Sequence, residues 1–171
     1  AGTAMTLLMV ALLAGGLGNA KTVNAATIYV RTAGNDANSG AAPAVAVRTI
    51  TRAAVLARAG DRIVVGPGKY TEGNITPADF GQVSFVADRR GIEVGEPPGD
   101  VVVDARNFAS GFELNNRPAT TIDGFVIYGA TTGIYVKSQS AQAVISNNVV
   151  SGNSGKGIYV EDSNGAVVFN N

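Results

Sequence analysis

Any chemistry in this chain must come from a short list of side chains. The sequence of 171 residues contains no histidine and no cysteine. This excludes Ser-His-Asp triads, thiolate nucleophiles and cysteine-based zinc sites. Catalysis would therefore need Asp, Glu, Lys, Arg or Tyr, or a bound hard cation that prefers oxygen ligands. The formal net charge is +0, and this balance gives no reason to expect nucleic acid or a membrane surface as a partner.

Polar and aromatic side chains recur in three strand-like segments that share one pattern. The segments are 111–115, 133–137 and 157–161, which begin 22 and 24 residues apart. Side chains of a strand point alternately to its two faces, so stacked copies of the pattern would align their outward residues in columns. The expected columns are Glu113, Tyr135 and Tyr159, and beside them Asn115, Lys137 and Glu161, with Lys156, Asp162 and Arg117 near the same edge.

A second pattern indicates which fold positions these columns. It begins at Thr121, Val144 and Val167, at an interval of 23 residues. Each repeat contains short runs of Val, Ile, Phe and Tyr, which favour strands, separated by Gly, Asn, Ser and Thr, which favour turns. No repeat has room for two amphipathic helices, and a leucine-rich pattern is absent. The sequence therefore predicts an all-β fold, a single-stranded right-handed parallel β-helix with three short strands in each coil.

The aliphatic residues of the repeats predict the interior of this β-helix. Asn148 and Asn171 are expected at a bend, where asparagine tolerates the left-handed conformation and its amide can bond to the equivalent amide one coil away. The alternative is a pair of solvated turn asparagines. The expected inner columns are Phe112, Ile134 and Ile158; Leu114, Val136 and Val160; Ile122, Ile145 and Val168; and Ile127 with Val150.

The chain divides into three predicted parts. Residues 1–26 are typical of a signal peptide, residues 27–60 contain a first strand, a polar loop and a capping helix, and residues 61–171 form β-helix coils. The coils end at Asn171 without a closing cap, although terminal repeats normally need one for solubility. We expect either an N-terminal fragment of a longer protein or an open end covered by another chain. The second case predicts end-to-end self-association through the open C-terminal coil.

One α-helix is predicted, over residues 48–59. Ile50, Ala53, Ala54 and Ala57 recur there at helical spacing. An open end of a β-helix exposes unpaired backbone groups and apolar interior, which must be covered. We therefore expect this helix to cap the N-terminal end of the coil.

The N-terminal segment favours export. Residues 5–18 are apolar and uncharged, and small residues follow, with cleavage predicted after Ala20 or Ala25. The run is shorter than the about 20 residues that span a bilayer, so no stable membrane span is expected. No basic residue precedes the run and the chain does not begin with Met, which leaves an uncleaved anchor or an ordered N-terminal element as the alternative. The predicted location is secreted, extracellular or at the cell surface.

The repeats resemble a known group of proteins. The stretches TIDGFVI, GIYV and VISNNVVSGNSGKGIYV, within residues 121–160, are similar to the right-handed parallel β-helix repeats of the pectate-lyase-like superfamily. The resemblance covers most of the chain after Ala26. It is specific for fold and much less so for activity, because the superfamily includes lyases, hydrolases, epimerases, adhesins and phage tail spikes.

The resemblance implies where a substrate would bind. In β-helix lyases the substrate lies in a groove along one outer sheet, which corresponds here to the face with the two polar columns. An acidic polysaccharide is the implied partner, with Lys137 as the base that removes the acidic C5 proton in a β-elimination. Ca²⁺ is the implied cofactor, for which Glu113, Glu161 and Asp162 are candidate ligands. The implied substrate-binding residues are Glu113, Asn115, Tyr135, Tyr159, Lys156 and Glu161.

Other interpretations of the same residues stay open. Glu113 and Glu161 lie two coils apart, roughly 10 Å, a separation that inverting glycosidases approach. Lys137 over Glu161 could equally be an ordinary cross-strand ion pair worth about 0.2–1 kcal/mol. No position matches the superfamily's calcium-binding aspartates or its basic catalytic residue closely. The sequence therefore predicts either a polysaccharide lyase-like enzyme, or its N-terminal part, or a non-catalytic secreted scaffold, adhesin or self-assembling surface protein.

Overall fold

The computed structural model describes residues 25–171, and the described part is built from short β-strands. The strands are three to six residues long, which suits coils that turn sharply every few residues. They are β1 (Thr27–Val30), β2 (Arg62–Val65), β3 (Gly68–Tyr70), β4 (Ser84–Ala87), β5 (Val101–Asp104), β6 (Ser110–Asn115), β7 (Thr121–Asp123), β8 (Val126–Tyr128), β9 (Thr132–Lys137), β10 (Val144–Ser146), β11 (Val149–Ser151), β12 (Lys156–Val160) and β13 (Val167–Phe169).

The strands form three parallel sheets along the axis of a coil. Sheet A contains six strands in the order β1-β2-β4-β7-β10-β13, sheet B contains β3-β5-β8-β11, and sheet C contains β6-β9-β12. From β4 onward, β4-β5-β6, β7-β8-β9 and β10-β11-β12 each add one strand to each sheet, which is the defining arrangement of a parallel β-helix. The predicted fold class is confirmed.

The predicted inner columns are also present. Strand pairing aligns Phe112 with Ile134 and Ile134 with Ile158, and the other predicted columns pair in the same way. Ile134 is fully buried, whereas Ile158 in the last coil is only partly buried. The interior also contains an edge-to-face aromatic contact between Phe112 and Phe125, whose ring centroids lie 5.2 Å apart. Burial of these stacked aliphatic and aromatic side chains is the main favourable contribution to the fold.

A ladder of asparagines supports the bend between sheets A and B. The Asn148 amide donates to Asn171 Oδ1 at 2.9 Å, and its own Oδ1 accepts the backbone N–H of Phe125 at 3.0 Å. The stacked ladder is therefore present. The left-handed backbone lies one residue earlier than predicted, at Asn147 (φ 57°) and Asn170 (φ 53°), because the buried ladder residue needs an inward side chain.

The α-helix is shorter than predicted. Helix α1 covers Ile50–Leu56 rather than residues 48–59, and Thr49 caps its N-terminus by accepting the N–H of Arg52. The chain leaves the helix at Ala57, and the next N–H, that of Arg58, donates to the carboxylate of Asp61. The prediction followed local helical spacing and could not include this turn.

The buried face of helix α1 contributes Ile50, Ala53 and Ala54 to the core, beside strands β1 and β2. Two distant carboxylates hold its start. Glu72 accepts the N–H groups of Ile50 and Thr51, and Asp36 accepts that of Thr49. The helix is thereby fixed against the first coils.

The predicted signal segment lies outside the described residues, apart from Ala25 and Ala26. Within residues 25–171 there is no helix of the length and apolarity that crossing a bilayer requires.

Candidate functional site

The outer surface of sheet C brings together the side chains that could do chemistry. This sheet C face comprises Glu113, Asn115, Tyr135, Lys137, Lys156, Tyr159 and Glu161. Pairing of β6, β9 and β12 places Glu113, Tyr135 and Tyr159 in one column and Asn115 beside Lys137 in the next. Both columns follow from alternation along the strands. Glu161 comes directly after β12, and its N–H donates to the carbonyl of Val136.

Two tyrosines and one carboxylate form the centre of the face. The rings of Tyr135 and Tyr159 stack with their centroids 5.3 Å apart and an interplanar angle of 20°. Both phenols donate to Glu161, Tyr135 to Oε1 and Tyr159 to Oε2 at 2.8 Å. The tyrosines therefore stack on one another, with both phenols directed at Glu161.

These hydrogen bonds change the acidity of the groups that make them. The bond to Glu161 raises the pKa of Tyr135 to about 12, since ionisation would set a phenolate against a carboxylate. The bond from Tyr135, followed by that from Tyr159, lowers the pKa of Glu161. At neutral pH the cluster is thus two neutral phenols on one carboxylate, which suits binding through hydrogen bonds.

The two lysines of the face have different partners. Lys137 forms an ion pair with Glu113 at 2.9 Å and lies over the Tyr135 ring, 4.5 Å from its centroid. The predicted pair of Lys137 with Glu161 is wrong, because two phenols already occupy that carboxylate. Lys156 lies 3.1 Å from the Tyr159 ring centroid and has no ion pair with a described carboxylate. It is the cation of the face available to an incoming anion.

The neighbouring Arg117 supports the structure of the edge. Its guanidinium stacks on Phe80, 4.1 Å from the ring centroid, and donates to the backbone carbonyl groups of Pro77 and Asn115. These contacts hold the loop around Phe80 against the end of sheet C. Arg117 is therefore not free to follow a ligand.

The candidate calcium ligands do not come together. Glu113 is paired with Lys137, and Glu161 is bonded to the two tyrosines. Among residues 25–171 no three His, Cys, Asp or Glu side chains are grouped so that they could hold a metal ion. Nothing here supports the calcium cofactor implied by the resemblance.

The structure adds a groove that the sequence analysis did not identify. It lies where the strands of sheet C end, has a volume of about 600 Å³, and is lined by Asn116, Ser138, Gln139, Asp162 and Asn164. Three of these residues, Asn116, Gln139 and Asp162, recur at the same interval of 23 residues as the strand repeat. That interval was the available signal, but the prediction applied it only to strand residues.

A second polar cluster lies on the outer side of sheet B. The buried carboxylate of Asp104 accepts Lys69 and Arg106, each at 2.7 Å. The hydrogen bond from Arg106, followed by that from Lys69, holds the pKa of Asp104 well below its usual range. The cluster joins β3 and β5 and was not predicted, because Lys69 and Asp104 belong to the irregular first coils.

The fold and this surface define the class of protein: a parallel β-helix protein with a polar face on one sheet. Residues 62–171 match the sequence model of a family described as periplasmic copper-binding protein (NosD), and the chain belongs to that family. Residues 32–77 match a second family, described as a protein of unknown function (DUF1565). Both are families of the right-handed β-helix type, in agreement with the fold.

No curated protein and no solved structure matches the chain significantly. The family's periplasmic description agrees with the predicted export of the protein.

Proposed function

We propose that this protein is an exported β-helix protein that binds an acidic polysaccharide on the sheet C face. The observation that carries the proposal is Lys156, which is exposed, lies over the Tyr159 ring and has no ion pair with a described carboxylate. A cation in this position attracts the carboxylate of a uronate unit, and a charge-assisted hydrogen bond is stronger than a neutral one. The family's description makes the periplasm the proposed location, whereas the extracellular or surface location stays a prediction.

The rest of the face supplies polar groups that could orient a sugar. Asn115 is exposed beside the Lys137–Glu113 pair, whose two side chains are about one quarter exposed, at 24% and 28%. Amide, carboxylate and ammonium groups together offer both donors and acceptors to sugar hydroxyls. A few convergent polar groups of this kind are typical of a ligand site.

Cleavage by β-elimination is the finer form of the proposal, with Lys137 as base. The reaction requires a base at the C5 proton and positive charge at the neighbouring carboxylate. Lys137 would act as the base, and Lys156 would supply the positive charge at the carboxylate. The contacts favour binding over cleavage, because Lys137 is engaged with Glu113 and no described carboxylates are grouped to hold a cation. A non-catalytic scaffold or adhesin therefore remains the alternative function.

Copper does not fit the described residues. The family is described as copper-binding, and copper sites in proteins are built mainly from imidazole, thiolate or thioether ligands, with oxygen ligands beside them in some Cu(II) sites. The chain contains no His or Cys, and its two methionines, Met5 and Met9, lie outside the described residues. No step of the proposed function involves copper.

Self-association at the last coil is a separate proposal about partners. The side chains of Val167, Val168 and Phe169 in β13 are about half exposed. Another strand paired with β13 would cover them and would extend sheet A. Sizing of the full chain at increasing concentration tests this directly.

The binding proposal is tested with polygalacturonate and alginate as probes. Lys156→Ala is expected to weaken binding of the full chain about 3–10-fold and to reduce its dependence on salt, because one charged contact is lost. The matched control is Arg89→Ala, since Arg89 is an exposed cation that pairs with Asp100 in a loop outside sheet C. Failure of the wild-type chain to bind either polysaccharide would refute the proposal. Ultraviolet absorbance of an unsaturated product tests cleavage in the same samples.

A further inference from the structure

The groove at the end of sheet C has a backbone that favours small residues. Asn116, Ser138, Gln139 and Asp162 all adopt the left-handed conformation, with φ of 53°, 51°, 64° and 45°. This conformation costs least for glycine and is tolerated by asparagine and aspartate. Serine and glutamine have no such preference for the left-handed conformation, so Ser138 and Gln139 adopt it at a cost in free energy. Non-glycine residues held in such conformations cluster at ligand sites, where the side chain has a use.

The side chains of the groove are available to a ligand. The five lining residues are exposed, and their side chains make no hydrogen bond with another described residue. They supply amide donors and acceptors, one hydroxyl and one carboxylate, which is the set of groups that recognises sugar hydroxyls. No cation lines the groove, so Asp162 makes it unfavourable for a ligand carboxylate.

The groove lies beside the proposed polysaccharide site. Ser138 follows Lys137 directly, and Asp162 follows Glu161. Asp162 lies three positions after Tyr159, which corresponds to at most about 10 Å at the rise of a strand. The Lys156 ammonium lies over the Tyr159 ring. A polysaccharide that binds Lys156 through the carboxylate of one sugar unit therefore extends its neighbouring unit into the groove.

We propose that this groove is a second subsite, which binds the hydroxyl groups of the sugar unit next to the one held by Lys156, with the carboxylate of that unit directed away from Asp162. The inference rests on the proposed function and adds the residues that select the sugar. Gln139 and Asn116 donate to and accept from hydroxyl groups, and Asp162 accepts from them.

Glycine variants of the full chain test the subsite without the usual risk of unfolding. Gln139→Gly and Asn116→Gly suit the left-handed backbone, so their thermal midpoints are expected to equal or exceed that of the wild type. Each is expected to weaken binding of polygalacturonate or alginate about 3–10-fold through loss of hydrogen bonds. The salt dependence of binding is expected to stay at the wild-type value, in contrast to that of Lys156→Ala.

The matched control is Asn107→Gly. Asn107 is also exposed and left-handed, with φ 72°, but it lies outside the groove, so its variant is expected to bind like the wild type. Wild-type affinity in the folded groove variants, with Lys156→Ala still weakened, would overturn the subsite and leave the proposed function standing. Absence of polysaccharide binding by the wild type would overturn both.

Discussion

Single contacts on the sheet C face decide which groups can meet a ligand. Glu161 is occupied by two phenols and Glu113 by Lys137, whereas Lys156 contacts only the Tyr159 ring among these groups. A carboxylate that accepts two hydrogen bonds is held in one orientation, and the stacked tyrosines are fixed with it. The result is a rigid polar centre with one available cation beside it.

The hydrogen bond between Tyr135 and Glu161 predicts how the pKa of Tyr135 responds to a substitution of Glu161. Glu161→Gln is expected to lower the pKa of Tyr135 from about 12 towards the ordinary tyrosine value, because the neutral amide no longer opposes the phenolate. Absorbance of tyrosinate during an alkaline titration measures this, with Tyr135→Phe assigning the signal. Burial also raises the pKa of Tyr70, so one late-titrating phenol is expected in every variant. Only an unchanged signal assigned to Tyr135 in Glu161→Gln would show that the hydrogen bond is not the cause.

At the scale of elements, the interval of 23 residues carries most of the predictable information. It sets the register of β7, β10 and β13 in sheet A and of β8 and β11 in sheet B, whereas the inner and polar columns of sheet C follow the neighbouring intervals of 22 and 24 residues. The interval gives no information about side-chain contacts between residues that are distant in the sequence. Helix α1 depends on Glu72 and Asp36, which lie outside the helix, so its limits did not follow from local spacing.

For the site, too, the sequence predicted which strand residues lie on the outer face but not the contacts that their side chains make. Alternation placed Tyr135 and Lys137 on the outer face, but the partner of Lys137 depended on the competition of other groups for Glu161. Asp162 was identified as a polar residue near this edge, but the other groove residues were missed because they lie in turns, where alternation along a strand does not predict the direction of a side chain. Gln139 shows this well, since its role depends on backbone conformation and on neighbours one coil away.

The asparagine ladder predicts that substitutions at two adjacent residues, Asn148 and Asn147, lower the free energy of unfolding by very different amounts. Asn148 is buried, and Asn148→Ala removes its bonds to the backbone of Phe125 and Ile122 as well as to Asn171. Two backbone groups lose a partner, at about 1–3 kcal/mol each, so a loss of about 2–4 kcal/mol in the free energy of unfolding is expected by urea denaturation. Asn147→Gly is the control, because Asn147 is left-handed and its side-chain bonds to Asp123 and Asn170 are exposed to water, so it should stay within about 1 kcal/mol of the wild type. Equal losses in both variants would argue against the ladder.

For the whole molecule, charge clusters between coils matter more than net charge, which is +0. Asp104 joins Lys69 of β3 to Arg106 beyond β5, and its carboxylate is completely buried. Because its pKa is lowered in the folded state, it stabilises the protein fully above the unfolded value of about 3.9. This contribution is lost as the pH falls below about 4.

Asp104→Asn is therefore expected to lower the free energy of unfolding by about 1.5–3 kcal/mol near neutral pH. The difference from the wild type should shrink as the pH falls below about 4, because the Asp104 carboxylate of the unfolded chain then takes up a proton while that of the folded protein stays ionised. Denaturation at several pH values measures both effects. Asp100→Asn is the control, since Asp100 and Arg89 are about half exposed and their pair should contribute about 0–1 kcal/mol. A constant difference between Asp104→Asn and wild type at all pH values would contradict the assignment.

The central claim is that the sheet C face binds a polysaccharide, and amide chemical-shift mapping of the full chain with oligogalacturonate tests it most directly. The predicted result is a set of shifted amides confined to the strands of sheet C, β6, β9 and β12, and to the groove after them, including Tyr159 and Gln139. Shifts that instead cluster on sheet A or sheet B, or no shifts at saturating oligosaccharide, would contradict the claim.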